Sequence, residues 1–268
     1  MLLSSIALPA TDQGRLARDV ARARGGDRAA LSRALTLIEN GAPISTAMSA
    51  EWQDAARHAH RIGLTGAPGA GKSTLASALI GEFLRRDRSI AVLAVDPSSP
   101  ITGGAVLGDR VRMSAHADDS RVYIRSMASR GNAGGIALTT GACALLLAAC
   151  HYDIVLIETV GTGQSEVAIV RAADTIIVAV PPGAGDEVQA LKAGVLEIAH
   201  VLVVTKSDLP AAERMANELM SSVALRAGRG GNVPVVPVCG TQNQGVSALV
   251  DALETHRKAN ADASLHSA

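Results

Sequence analysis

Three features of this 268-residue chain predict a doubly wound, mostly parallel α/β sheet. First, short aliphatic runs recur from Ile62 onward: Ile62–Thr65, Ile90–Val95, Val122–Ile124, Ile154–Ile157, Thr175–Val180, Val201–Val204 and Val233–Val238. Second, helix-like segments lie between most of them, among them Ala133–Cys150, Gln164–Ala172, Asp186–Ile198, Ala211–Leu225 and Val246–Lys258. Strand-length runs that alternate with helices are the signature of doubly wound sheets. Third, the glycine-rich stretch GAPGAGKS, Gly66–Ser73, follows the first run and precedes the helix-like Thr74–Phe83. Ligands of such sheets bind at the carboxyl ends of strands, where this loop falls.

Composition agrees with a buried sheet. Hydrophobic residues make up 48% of the chain, yet there are only one Phe, one Trp and two Tyr. The core must therefore be built from Ala, Val, Leu and Ile, which suits parallel strands covered on both faces. Lysine plus arginine equals aspartate plus glutamate, 25 against 25, so no polyanion partner is implied. Scarce aromatics also argue against stacking platforms for nucleic acid. Cys143, Cys150 and Cys239 form no paired motif and read as small buried apolar residues. The start, MLLSSIALPA, lacks the basic flank of a signal peptide, and no apolar run approaches the ~20 residues of a membrane span. A reducing, cytoplasmic setting is the expectation.

Ahead of the sheet, Ala7 to about His60 contains no strand-like run. Leu16, Val20, Leu31, Leu35 and Ile38 recur at helical spacing, interrupted by Gly25-Gly26 and closed by Asn40-Gly41. Two or three helices are expected over residues 1–60 as an N-terminal extension, followed by the sheet domain over 61–258. The small, polar residues 259–268 are expected to be a disordered tail.

GAPGAGKS matches the phosphate-binding pattern G-x-x-x-x-G-K-[ST] between a strand and a helix, the context that the pattern requires. Gly66, Ala67, Pro68, Gly69, Ala70 and Gly71 would turn backbone N–H groups inward around phosphate oxygens, with Thr74 opening the helix. Lys72 would reach the β- and γ-phosphates, and the Ser73 hydroxyl would ligate Mg²⁺. A triphosphate hydrolase also needs acidic groups near the metal and a sensor of the γ-phosphate. IVLIETVGTGQSE delivers Glu158 at a strand end, with Gly161 three residues later. AVLAVDPSSP places Asp96 at another strand end, and GGAVLGDRVRM carries Asp109 in a glycine-rich stretch. Finally, VLVVTKSD sets Lys206 and Asp208 after a buried strand. A carboxylate there can accept from the ring N–H and exocyclic amino group of guanine, a donor pair that adenine lacks.

With these residues the chain resembles the MeaB/ArgK group of SIMIBI-class P-loop GTPases. The matching stretches are GDRAALSRALTLIEN, GLTGAPGAGKSTL, LAVDPSSPITGGAVLGDRVRM, IRSMASRGNAGGIA, DIVLIETVGTGQSE and PPGAGDEVQALKAGVLEIAHVLVVTKSDL, in order from about Gly26 to Leu209. The resemblance implies a GTP-binding and GTP-hydrolysing chaperone for an adenosylcobalamin-dependent acyl-CoA mutase of the methylmalonyl-CoA type. It also implies that Asp96, Asp109, Glu158 and Ser73 form the metal and water-positioning set, with Lys72, Asp109 and Glu158 catalytic. Gly161 would sense the γ-phosphate, Lys206 and Asp208 would hold the base of GTP or GDP, and Gly183–Lys192 would be a switch read by the mutase.

Two positions depart from the group. Thr205 stands where the base motif usually has Asn, which would tie the base loop to the P-loop by hydrogen bonds. Thr keeps a hydroxyl but not the amide, so weaker nucleotide affinity is expected, with Asp208 still reading guanine. Cys239-Gly240-Thr241 stands where a Ser-Ala pair usually contacts guanine. The chain also stops short of the helical arm that builds the group's dimer, so a homodimer is in doubt. Other readings are an ATP-dependent kinase of a transport-linked protein, a nickel-delivery GTPase, and a partitioning-type ATPase. Asp208 argues against the first. The second has only the Cys150-His151 pair as ligands, and the third usually has a lysine where this chain has Ala67.

Overall fold

The computed structural model describes residues 10–42, 50–96, 113–116, 118–128, 139–159, 166–183, 195–224 and 233–265. Three helices come first, α1 (Ala10–Arg24), α2 (Arg28–Glu39) and α3 (Ala50–Arg57). Strand and helix then alternate: β1 (His60–Gly66), α4 (Lys72–Arg85), β2 (Ile90–Asp96), β3 (Val122–Ala128), α5 (Thr140–Ala149) and β4 (Ile154–Glu158). The rest comprises α6 (Glu166–Ala172), β5 (Thr175–Val180), the single turn α7 (Val195–Ile198), β6 (Val201–Thr205), α8 (Ala212–Ala224), β7 (Val235–Val238) and α9 (Val246–Leu265). The seven described strands form one sheet in the order β3-β2-β4-β1-β5-β6-β7, and every pairing is parallel. This is the predicted doubly wound sheet. Central β1, flanked by β4 and β5, points the loop after it into the crevice where the strand order reverses.

Alternate residues of each strand enter opposite layers, as a period of two requires. Ile154 and Leu156 of β4 pack with α4 and α9, while Val155 and Ile157 pack on the other side with α5. Farther along that second face, Ile176, Val178 and Val180 of β5 meet α6 and α8. Helix α5, TGACALLLAA, has no polar stripe, and Cys143, Ala144, Leu146, Leu147, Ala148 and Ala149 are all buried. A helix apolar all round must be covered on its outer side as well. The N-terminal helices do this, for Leu16, Val20, Leu31, Leu35 and Ile38 share one cluster with α5 and the sheet.

Local chemistry fixes that cover. Asp27 caps α2 by accepting from Ala30 N–H at 2.9 Å and pairs with Arg22 at 2.6 Å. Gly26 (φ +92°) and Gly41 (φ +97°) turn the chain before and after α2 in a region that favours glycine. Arg28 donates to the Val122 and Ser120 carbonyls at 2.7 and 3.2 Å, and Arg125 of β3 reaches back to Thr36 and Glu39. On the opposite face, Arg86, just past the end of α4, joins buried Glu82 at 2.8 Å and Asp251 of α9 at 2.8 Å.

Three sequence expectations are corrected. Residues 259–265 continue α9 as helix instead of forming a disordered tail, because the alternating alanines there favour helix. β3 runs to Ala128, its polar Arg125 and Ser126 having hidden the strand pattern, and β7 begins at Val235, after Pro234. Cys143 and Cys239 are buried as expected, but Cys150 is only half-buried.

One contact sets how α6 meets the sheet. A Cβ at Gly63 of β1 would fall 2.5 Å from Ile169 Cδ1 of α6, so the side chain of Ile169 occupies the space glycine leaves. Gly63→Ala should destabilise by about 1–3 kcal/mol in urea unfolding. Adding Ile169→Ala should recover part of that loss, since the two sites share one volume.

Candidate nucleotide site

β1 ends on Gly66 at φ +147°, where a Cβ would lie 2.3 Å from the Ala179 carbonyl oxygen of β5. Only glycine can turn the chain this close to its neighbour. The loop then passes exposed Pro68 and two left-handed glycines, Gly69 (φ +72°) and Gly71 (φ +84°), with Ala67 half-buried and Ala70 buried. Gly71 caps α4 with no side-chain hydrogen bond, so Lys72, Ser73 and Thr74 open the helix with their N–H groups turned to the loop. A helix start of this kind attracts phosphate through its unsatisfied N–H groups and its dipole.

Several of the side chains singled out in the sequence lie together here. Lys72 Nζ donates to the Gly66 and Ala67 carbonyls at 2.9 and 3.0 Å, which holds a buried cation across the mouth of the loop. Ser73 Oγ donates to Glu158 Oε1 at 2.8 Å, although 85 residues separate them. Both are desolvated, Glu158 at 1% and Ser73 at 6% exposure, so the carboxylate is held against the start of α4. Two hard oxygens of this kind fit Mg²⁺, which takes one or two protein ligands and completes its shell with phosphate and water. Asp96 closes β2 beside this point, since Ala94 pairs with Glu158 in the sheet register. Asp109 and Gly161 lie outside the described residues, as does most of Gly183–Lys192.

The base side of the site is a pocket of about 210 Å³ between the loop after β6 and the loop after β7. Lys206 and Asp208 line it with Cys239, Gly240 and Thr241. Lys206 adopts φ +52°, and its carbonyl accepts from Leu209 N–H at 3.0 Å, which makes a tight turn that leaves Asp208 exposed. The opposite loop is closed by paired backbone bonds between Cys239 and Gln244 at 3.0 and 3.1 Å. Gly240 lies against α4, where a Cβ would come 3.3 Å from the Thr74 carbonyl oxygen. Thr74, singled out in the sequence at the start of the helix, and Leu75 complete the wall; Leu75 gives no sequence signal as a site residue, because it is apolar and belongs to no site motif.

Another cavity among the described residues, about 710 Å³, lies elsewhere, between α1 and α2 with Arg125 of β3. It is lined by five arginines, but Arg33 pairs with Asp19, Arg125 with Glu39 and Arg22 with Asp27. These three ion pairs fit a structural seam between the helices and β3.

Thr205 ties the base loop to the P-loop through the hydroxyl it retains. Its hydroxyl donates to the Ala70 carbonyl at 2.7 Å, so the base loop is tied to the P-loop without an amide. Thr205 is buried, and a carbonyl deprived of this donor would remain desolvated. Thr205→Val should therefore weaken GDP binding roughly 5- to 10-fold, about 1–1.4 kcal/mol, in a fluorescent-nucleotide titration. Thr205→Ser, which keeps the donor, should stay close to the parent.

The family comparisons agree with this geometry. The model for "Methylmalonyl Co-A mutase-associated GTPase MeaB" matches residues 31–268. A candidate GTPase of Pyrococcus abyssi is 42% identical over 243 residues, covering 89% of this chain and 75% of its own length. GTPase ArgK of Escherichia coli K12 is 41% identical over 201 residues, 74% of this chain and 61% of its own. The mitochondrial methylmalonic aciduria type A homolog of Mus musculus is 34% identical over 247 residues, 85% and 60% respectively. Among solved structures, an LAO/AO transport system kinase superposes with a TM-score of 0.64 at 26% identity, over 100% of this chain and 84% of its own. The hydrogenase maturation factor HypB of Archaeoglobus fulgidus shares the fold at 17% identity, with a TM-score of 0.56 over 77% of this chain and 95% of its own. The chain belongs to the MeaB family and is a P-loop GTPase of the SIMIBI fold.

Proposed function

We propose that this GTPase is a slow, Mg²⁺-dependent switch that assists an adenosylcobalamin-dependent acyl-CoA mutase of the methylmalonyl-CoA type. The observation that carries the switch is the Ser73–Glu158 bond, which joins the P-loop helix to the carboxylate at the end of β4. GTP binding exchanges the two carbonyl partners of Lys72 for β- and γ-phosphate oxygens. Ser73 and Glu158, with Asp96 and Asp109, would hold the cation, which would supply charge to offset that of the phosphates.

Hydrolysis then asks little covalent chemistry of the chain. A water oxygen bonds to the γ-phosphorus as the bridging P–O bond breaks, releasing GDP and inorganic phosphate, with the water's proton passing to phosphate or solvent. Lys72 and the N–H groups at the start of α4 stabilise the charge that develops. Gly161 would donate its N–H to the γ-phosphate and so report its presence to the chain that follows. Lys206 and Asp208 hold the guanine. The mutase as partner rests on the family description, and the mouse homolog's name agrees with it. The kinase name of the superposed structure keeps a second reading in view. Asp208 in the base pocket favours the first reading, since adenine has no donor pair for it.

Asp208→Asn should shift preference from GTP toward xanthosine triphosphate in competition assays. An unchanged preference would reduce TKSD to an ordinary turn. Immobilised protein loaded with a non-hydrolysable GTP analogue should retain an adenosylcobalamin-dependent acyl-CoA mutase from its native host. Equal retention with GDP, or a membrane transport component in its place, would reverse the assignment.

A further inference from the structure

At the amino-terminal end of the sheet, opposite the nucleotide, four side chains from four parts of the chain touch in series. His60 Nε2 of β1 lies 2.6 Å from Thr175 Oγ1 of β5, and the same oxygen lies 2.9 Å from His256 Nδ1 of α9. The His256 ring stacks on that of His200, centroids 4.2 Å apart, and His200 Nδ1 accepts from Ile176 N–H at 2.9 Å. His60 and Thr175 are buried, whereas His200 and His256 are only half-buried and accessible to solvent protons.

A hydroxyl has a single proton. Of the two ring nitrogens facing Thr175, one must therefore donate to it and the other accept from it. One added proton can be accommodated, because the hydroxyl turns its hydrogen toward whichever nitrogen stays bare. A second cannot: both nitrogens then carry N–H, and the hydroxyl hydrogen loses its acceptor. Protonating His200 at Nδ1 breaks its bond from Ile176 and places two imidazolium rings in a stack.

The neighbouring charges favour release. From α9, Arg257 donates to the His58 carbonyl beside the cluster and Lys258 stands exposed, while Glu254 is engaged with Arg86 at 3.6 Å. From β1, Arg61 occupies Asp174 at 2.5 Å, so the nearest carboxylate is already paired. Asp153 of the preceding turn accepts from Ser89, and Glu197 of α7 is exposed. Burial, with Arg257 next in effect, pushes His60 down to about 4. Burial also lowers His200 and His256, and for His200 the charge of His256 adds to this. Groups held below their ordinary value stabilise the fold fully above about pH 6.5, and that contribution fades as pH falls.

We infer that His60, Thr175, His200 and His256 form a proton-released latch for the distal half of α9. The proximal half is held independently, by Leu249 and Leu253 in the core and by Arg86 on Asp251. Below the transition the stretch from His256 to Leu265 leaves the sheet, while the nucleotide pocket at the other end of the strands stays closed. Two protons are needed for release, so the transition is steeper than that of a single histidine.

Hydrogen–deuterium exchange of the full chain with GDP, corrected for intrinsic rates, tests this at pH 7.5 and 5.5. Protection of residues 257–265 should fall at least tenfold at the lower pH, while α4 and β1 stay protected and GDP affinity changes less than twofold. His256→Gln, whose amide can still bond Thr175 but does not titrate, should keep its protection at both values. Undiminished protection of the parent at pH 5.5, or equal loss in His256→Gln, would overturn the latch. NMR titration of the histidine ring signals decides the matter even if the variant folds poorly. His60 and His256 should titrate together, below the ordinary range and steeper than one proton, and independent titration near pH 6.5 is the contrary result.

Discussion

Parallel strands carry no solvent face, so both sides of this sheet must be sealed, and the chain has to do so almost without aromatic rings. Small and branched aliphatic side chains fill less volume each, and helices must therefore approach closely. The notch at Gly63, filled by Ile169, and the contact of Gly240 with Thr74 are two places where a missing Cβ permits that approach. The same constraint explains the N-terminal helices. Helix α5 is small and apolar on every side, and α1, α2 and α3 are its outer wall as much as a separate extension.

The nucleotide site inherits its precision from this sealing. β1 lies in the middle of the sheet, held on both edges, so Gly66 is delivered to a fixed point beside Ala179. β4 brings Glu158 to the same level, and β6 brings Thr205. Each functional side chain thus stands at or just beyond a strand end whose position the sheet dictates. The two ties across the site, Ser73 to Glu158 and Thr205 to Ala70, connect elements that are already in place.

Much of this was legible in the sequence. Each strand was recognisable from its aliphatic run, and Lys72, Ser73, Glu158 and Asp208 from their places after such runs. Polar residues obscured element ends: Arg125 and Ser126 concealed half of β3, and the Ala, Asn and Asp mixture after Lys258 read as disorder. The bond from Thr205 to Ala70 was not legible, because its partners are 135 residues apart and one of them is a backbone carbonyl. His60, His200 and His256 carried no signal either, since they share no motif and meet only in the fold, His60 and His256 through Thr175 and His200 by stacking on His256.

The arginine clasp on β3 and the proline in β7 have a common outcome for how the sheet meets other chains. The two outer strands of an open sheet ordinarily offer unpaired backbone groups on which a foreign strand can add. On one side Arg28 from α2 already occupies the Val122 carbonyl. On the other, Pro237 sits within β7 and removes a donor from the rim. Each rim thus has at least one backbone position closed to strand addition among the described residues. At these two points the described edge strands are protected against the pairing that leads to edge-to-edge aggregation.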